Sequence, residues 1–422
     1  MERSNARPRV VILGAGFGGL SAANALRNTP CDVVLIDRRN YHLFQPLLYQ
    51  VATAALSPAE IASPIRSILS RQKNARVLMA RATGIDAARK LVHLQGGRDE
   101  PFDYLIVATG ARHAYFGQDQ WEKCAPGLKK IDDATDIRRR ILLAFERAEA
   151  TDNLEERKAL LTFVVIGGGA TGVEMAGAIA ELAHWALADE FRTIDPTQAR
   201  IVLVEAGSRL LPAFAPELAE HARKALVKLG VEVQLGRAVE HCDETGVKHR
   251  GERIAARTII WAAGVQASPA AKWLGAEKDR AGRVVVAKDL SVTGHPDIFV
   301  VGDTAAVMDH KGKPVPGIAP AAKQMGGFVG RLIAARVAGK KPLGPYRYRH
   351  AGSLATIGRS AAIADFGWIR LKGRIAWWLW GVAHIYFLID FRSRLVVALQ
   401  WLWSYLTYRR GARLITGGEG DV

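Results

Sequence analysis

The sequence predicts an α/β protein with two dinucleotide-binding βαβ domains and a C-terminal region of amphipathic helices. Three observations carry that reading. An apolar, β-branched run followed by G-x-G-x-x-G and a helix-forming stretch occurs twice, about 150 residues apart. Each glycine loop is followed by another apolar run that ends in an acid. Six of the ten tryptophans lie between Trp368 and Trp403, close to the C-terminus.

Composition sets outer bounds. At 422 residues the chain is too long for one core, and two or three domains are expected. With 49% hydrophobic and 23% charged residues it is globular. A formal charge of +17 favours anionic partners or marks a generally solvated basic surface. No dense Lys/Arg run with interleaved aromatics occurs outside the tail, so no nucleic-acid partner is expected. Cys31, Cys124 and Cys242 are far apart and form no CxxC pair. A disulfide framework and a metal site are therefore not expected, and a reducing compartment is favoured. An apolar strand begins by Val10 with no secretory h-region before it, so secretion is not expected.

Residues 9–13, RVVIL, suit a buried parallel strand. GAGFGG follows at once, with Gly14, Gly16 and Gly19 in the fingerprint positions, and LSAANAL continues as a helix. Gly14 permits the tight turn, Gly16 lets backbone approach a pyrophosphate, and Gly19 allows close helix–strand packing. The helix N-terminus offers N–H groups and a positive dipole end to phosphate. The next strand, DVVLID, ends in Asp37, 23 residues after Gly14, where a carboxylate can accept hydrogen bonds from an adenosine ribose. A purely structural glycine turn is the bland alternative; the strand–loop–helix context argues against it.

The pattern returns in TFVVIGGGATGVEMAGAIAEL, with Gly167, Gly169 and Gly172. The following strand, ARIVLVEAG, ends in Glu205 after an expected polar helical insert at about 184–198. Glu205 would bond the ribose hydroxyls of NADH and repel the 2′-phosphate of NADPH, although nearby Arg209 could accommodate that phosphate. Glu174 is expected on the first turn of the helix, either as a dipole-complementing acid or as a lining of the nicotinamide pocket.

Two glycine loops imply one permanently held flavin and one transient nicotinamide. Further strands, DYLIVATGA (103–111) and DIFVVGDTA (297–305), end in Thr109-Gly110 and Gly302-Asp303. Asp303 lies where ligands bind in open α/β sheets and could bond the ribityl chain of FAD; an ordinary helix cap is the alternative. A helix beginning at Ala319-Pro320 could aim its N-terminal dipole at the flavin. The layout is an FAD domain with a nested NADH domain, both Rossmann-like. The expected divisions are 1–120 and 283–345 for FAD, 121–282 for NADH with a core at 161–265, and 346–422 for membrane association.

YHLFQPLLYQVATAAL (41–56), WAAGV (261–265), VVGDTAAV (300–307) and APAAKQMG (319–326) narrow the family. With the two glycine loops, they resemble the type II NADH dehydrogenases, single-subunit NADH:quinone oxidoreductases of the pyridine-nucleotide flavoprotein superfamily. The resemblance implies non-covalent FAD, NADH as donor, a membrane quinone as acceptor, no proton pumping and a homodimer. It implies FAD contacts at Gly14, Gly16, Gly19, Asp37, Thr109, Gly110, Gly302, Asp303 and Ala319. NADH contacts are implied at Gly167, Gly169, Gly172, Glu174, Glu205 and Gly264. Pro46, Tyr49, Pro320, Lys323 and Gln324 would line the quinone site, and Gln45, Glu174 and Gln324 would be catalytic. The family helix often begins Ala-Gln; here proline stands at 320, and only the second glutamine, Gln324, is present. Lys323 reads equally well as a solvated helix residue.

The uncharged run Ile375–Ile389 spans about 22 Å as a helix, short of a ~30 Å hydrocarbon core. The next runs from Leu395 to Tyr408 and stops at Arg409-Arg410-Gly411, with Ser393, Gln400, Ser404 and Thr407 on one face. Residues 374–410 read as amphipathic helices lying on a lipid surface, with arginines facing anionic lipid. Burial against the globular body, or a dimer interface, is the alternative. The expected location is peripheral, on the cytoplasmic face of a bacterial inner membrane. Two rival functions stand beside this one: a soluble reductase serving an iron–sulfur carrier, and a membrane-bound NAD(H)-sensing flavoprotein.

Overall fold

The run RVVIL forms strand Arg9–Leu13, with four of its five residues buried. It is flanked in parallel by Asp32–Asp37 and Tyr104–Val107. Ala75–Met79 and His295–Val300 extend the parallel sheet, and Ser291–Val292 closes it antiparallel, giving six strands. Strands buried on both faces read as continuous Val/Ile/Leu runs, which is why the sequence exposes them. Helix Phe17–Ala25 packs on helix Ala319–Val337 at backbone distance: a Cβ on Gly326 would fall 1.9 Å from the Gly18 carbonyl oxygen.

The computed structural model describes residues 7–341, 343–407 and 410–416, and its chain divides into two units. The first comprises residues up to 42 with 63–112 and 265–351, and holds the six-stranded sheet. The second comprises 43–62, 113–264 and the chain from 352 onward. The motif-based divisions at 120, 282 and 345 thus stand beside changeovers at 42, 62, 112, 264 and 351. Residues 43–62 go with the second unit because helix Leu48–Ala52 packs on helices Ile131–Ala150 and Ala170–Glu181.

The second unit has a parallel four-stranded sheet ordered Val231–Leu235, Arg200–Glu205, Thr162–Ile166, Thr258–Trp261. A three-stranded antiparallel meander runs from His241 to Ala255. The α/β class with two Rossmann-like sheets is therefore as expected. The polar insert is not the expected helix: a π-helical turn, Leu182–Ala186, ends helix Ala170–Glu181, and only the 3-10 turn Pro196–Gln198 follows. Asp195 caps that turn through Thr197 N–H, and Glu149 gathers the N–H groups of Arg192, Thr193 and Ile194, so side chains replace helical bonding there.

Beyond a sheet of Ser353–Ile357, Ala361–Asp365 and Arg370–Lys372, two helices follow, Gly373–Phe387 and Phe391–Thr407. Trp380 stacks on Trp401 at 5.0 Å and joins them. Among the described residues no helix is long and apolar enough to cross a membrane. Tyr408 and Arg409, expected at the end of the second helix, lie outside the described residues.

Candidate active site

In the first unit, Gly14 holds φ +101°, a conformation that excludes side chains, and turns the chain from strand into helix. A Cβ on Gly19 would fall 1.8 Å from the Gly14 carbonyl oxygen, so only glycine permits this packing. A Cβ on Gly16 would meet nothing within 4 Å, leaving open space beside the loop where a pyrophosphate can approach. Asp37 accepts from Ala15 N–H at 2.7 Å and Arg39 N–H at 2.8 Å, fixing the carboxylate at the strand end.

The other expected FAD-side residues include those that follow the carboxyl ends of two neighbouring strands of the same sheet, Tyr104–Val107 and His295–Val300. Asp303 sits in the 3-10 turn Gly302–Thr304, and its carboxylate makes no hydrogen bond or ion pair among the described residues. Thr109 and Ser268 hydroxyls are 2.5 Å apart, and Thr304 donates to the Gly110 carbonyl at 3.2 Å. Ser268 carries no motif, and Thr304, although inside VVGDTAAV, was not singled out in the sequence. Helix Ala319–Val337 starts with Pro320 in its first turn and no side-chain cap on its N-terminal N–H groups.

His42 was also missed. Its Nδ1 lies 2.8 Å from the Ala15 carbonyl, which can only accept, so Nδ1 carries the hydrogen and Nε2 remains an acceptor. Nε2 is buried with no partner among the described residues. Burial, with Lys323 adding to it, pulls the His42 pKa down to about 4, so the ring is neutral at pH 7. An orphaned buried acceptor, an unpaired carboxylate, an uncapped helix end and the gap beside Gly16 together fit an FAD.

The second unit repeats the cradle. Gly167 has φ +112°, a Cβ on Gly172 would fall 1.8 Å from the Gly167 carbonyl, and the space beside Gly169 is open. Glu205 accepts from Gly168 N–H at 2.5 Å and Gly207 N–H at 2.6 Å. Arg209 donates to the Pro212 carbonyl at 2.9 Å. Glu174 lies just past the first turn of helix Ala170–Glu181, a correction to its expected place, and faces Thr356 N–H at 3.5 Å. Burial pushes its carboxyl up to about 8. Gly264 accepts from Ala114 N–H at 3.1 Å, and the Phe116 ring occupies the space where its side chain would be.

The expected quinone residues fall in both units. In the first, Gln324 makes a paired contact with one backbone residue, donating to Arg349 C=O at 2.8 Å and accepting from Arg349 N–H at 3.0 Å. Lys323 sits over the Phe17 ring at 5.3 Å, so it is packed and not merely solvated. In the second, Gln45 donates to the Lys129 carbonyl at 3.0 Å, Pro46 stands in the 3-10 turn Gln45–Leu47, and Tyr49 is buried. The Tyr49 hydroxyl accepts from Gln50 Nε2 at 2.9 Å, and Gln50 Oε1 accepts from Trp401 Nε1 at 2.8 Å.

The tail helices turn their polar side inward. Ser393 is buried and Gln400 donates to Glu60 at 2.6 Å, while Leu395, Leu399, Leu402, Trp403 and Leu406 are exposed. Ile375, Trp378, Val382 and Tyr386 continue the exposed apolar set on the first helix. Arg410 does not face lipid as expected: it is buried, donates to the Thr53 carbonyl at 2.7 Å and lies 3.5 Å from Glu181. A buried guanidinium needs such partners, and these supply them.

Known proteins share both the sequence and the fold. Residues 8–326 match the pyridine nucleotide-disulphide oxidoreductase family, and 350–410 match the NDH2 C-terminal domain. The type II NADH:quinone oxidoreductase Ndh of Mycobacterium tuberculosis is 46% identical over 97% of this chain and 90% of its own length. An internal alternative NAD(P)H-ubiquinone oxidoreductase of Arabidopsis thaliana is 28% identical over 97% of this chain and 86% of its own. The solved structure of NDH2 from Plasmodium falciparum in complex with NADH shares the fold, with a TM-score of 0.85 at 22% identity, covering 96% and 99% of the two chains. With two nucleotide cradles, a matching C-terminal domain and a near-full-length relative at this identity, the chain belongs to the type II NADH:quinone oxidoreductases.

Proposed function

We propose that this chain oxidises NADH and delivers two electrons to a membrane quinone, without pumping protons. The single observation that carries the proposal is the duplicated cradle joined to an exposed apolar C-terminal face. FAD, when bound, supplies the two-electron carrier between donor and acceptor. The chain's own residues do the positioning. Gly14, Gly16, Gly19 and the uncapped start of helix Ala319–Val337 receive the flavin nucleotide's anionic groups, and Asp37, Asp303 and His42 take its hydroxyl or N–H donors.

Gly167, Gly169 and Gly172 receive the NADH pyrophosphate, and Glu205 reads its ribose. Both Glu205 oxygens already take backbone N–H groups, which holds the carboxylate ready and leaves lone pairs for the two ribose hydroxyls. Glu174, protonated near neutral pH, can donate a proton that a carboxylate could not. We assign Gln45, Pro46, Tyr49, Pro320, Lys323 and Gln324 to the quinone side, with Gln324 acting partly through its hold on the Arg349 backbone.

The outward apolar face of the tail supports a peripheral seat on lipid, and the donor's aqueous pool supports the cytoplasmic side. A homodimer rests on the family resemblance, and sedimentation of the purified protein tests it. Purified protein should be yellow, bleach on NADH and recover colour on a soluble quinone analogue. Bleaching that no quinone reverses would overturn the acceptor. Changing Leu399→Glu with Leu406→Glu should abolish pelleting with anionic vesicles yet leave NADH oxidation by a soluble acceptor unchanged; persistent pelleting would remove the tail from membrane binding.

A further inference from the structure

We propose that Cys124 and Cys242 are a redox modification site, closing to a reversible disulfide when a peroxide oxidises the protein. They lie 118 residues apart in sequence, and the fold of the second unit brings their sulfurs to 3.2 Å. Cys242 belongs to strand His241–Asp243, the first of the antiparallel meander. Cys124 follows the 3-10 turn Asp119–Glu122, on a segment whose Tyr115, Trp121 and Ala125 share one core with Cys242, Val247 and Trp261. Both sulfurs are thus held by packed surroundings and not by a mobile loop. A disulfide has an S–S length near 2.05 Å, so closure requires about 1.2 Å of approach, within reach of side-chain rotation.

The two thiols are not equivalent. Cys124 is partly exposed and its sulfur also lies 3.3 Å from the Trp121 carbonyl oxygen. Cys242 is buried, and that burial pushes its thiol well above the ordinary range. Hydrogen peroxide therefore meets Cys124 first. Its sulfur attacks one peroxide oxygen, the O–O bond breaks, and Cys124 becomes a sulfenic acid with release of one water. Cys242 sulfur then attacks the sulfenic sulfur, the S–O bond breaks, and the hydroxyl leaves with the Cys242 proton as a second water. Two thiols and one peroxide give one disulfide and two waters, and the peroxide is the species reduced. Cys31 lies in the first unit, buried, with its thiol raised to about 11 mainly by burial, and serves as an internal control.

The bond would close a loop that contains the whole second cradle, from Gly167 to Glu205. Cross-links across long loops restrict the unfolded chain most, so the oxidised protein should unfold several degrees higher. The test uses the wild-type holoenzyme. Under denaturing titration the three free thiols should fall to one after hydrogen peroxide. An unreduced tryptic digest should contain a peptide joining Cys124 to Cys242, lighter by two hydrogens than the sum of its parts. Dithiothreitol should restore three thiols and lower the Tm again. Cys31→Ser should still form the link, whereas Cys242→Ser should leave Cys124 to advance to the sulfinic acid. Retention of all three thiols under peroxide, or wild-type Cys124 found as sulfinic acid with no linked peptide, would overturn the proposal.

Discussion

The two glycine loops are near copies at the level of hydrogen bonds, yet each solves the same problem with a different pair of residues. In the first, Asp37 holds Ala15 N–H; in the second, Glu205 holds Gly168 N–H. Glutamate has one methylene more than aspartate and folds back over its loop. A Cβ on Gly168 would fall 2.9 Å from Glu205 Cβ and 2.6 Å from a Leu210 methyl. The second loop residue of this cradle is thus hemmed in by Leu210 and by the stem of Glu205. The carbonyls of these residues differ too: that of Ala15 orients His42, and that of Gly168 accepts from Leu211 N–H. On the proposed reading, the first cradle keeps buried polar groups poised around a resident ligand, while the second commits its loop to a ribose-reading acid suited to exchange.

The largest effects should come from the shared feature. Gly19→Ala and Gly172→Ala both drive a methyl into a carbonyl oxygen at 1.8 Å, which no side-chain shift relieves. Overpacking of this kind costs roughly 1–3 kcal/mol or more. Gly19→Ala should yield colourless protein, whereas Gly172→Ala should keep the flavin spectrum and lose bleaching by NADH. If both variants lose flavin, the loops do not divide the two ligands as proposed. Next come the acids. Charge-assisted hydrogen bonds are worth about 1.5–3 kcal/mol, so Glu205→Ser should cost roughly tenfold or more in kcat/KM for NADH while sparing NADPH. Asp37→Ser should instead weaken FAD retention, measured by reconstitution of the stripped protein. An unchanged NADH to NADPH ratio would place ribose reading elsewhere.

What the sequence disclosed and what it hid follow one physical line. Parallel strands buried on both faces must be apolar throughout, and a glycine that touches a carbonyl admits no substitute, so both cradles could be read locally. Ser268 has no local pattern, and Thr304 and His42 lie inside motif stretches, yet the three gain their meaning only from residues 159, 195 and 27 positions away respectively. The polar stripe Ser393–Gln400 was visible, but its inward direction depends on Glu60 and Gln50, which lie over 300 residues earlier. Arg410 looked like a helix-end cation and is instead the buried partner of Glu181. Periodicity shows that a face exists; only the fold shows which side it meets.

The tightness of the second cradle at its second loop residue can be measured directly. Gly168→Ala alone should raise the KM for NADH, because its methyl meets Glu205 and Leu210. Glu205→Asp alone should have a milder effect. The double variant should recover little of the loss, because aspartate keeps the β and γ carbons and leaves the Leu210 methyl in place. Recovery by more than the roughly 0.5 kcal/mol at which residues in contact begin to show coupling would mean that acid length sets the room at this position.

The smallest effect separates the two helices that follow the loops. Two residues after the third glycine the first helix has Ser21 and the second has Glu174. The Glu174 carboxyl titrates near pH 8 in the fold, against an ordinary value of 4.5. Between these values the folded chain holds a proton that the unfolded chain has released, so stability falls as pH rises through that window. Glu174→Gln removes the titration. The variant should match the wild type in Tm at pH 5 and exceed it progressively towards pH 8, the gain being moderated because the side chain is only half-buried. A Tm difference that stays flat with pH would show that Glu174 does not hold this proton, and would withdraw it as a proton donor.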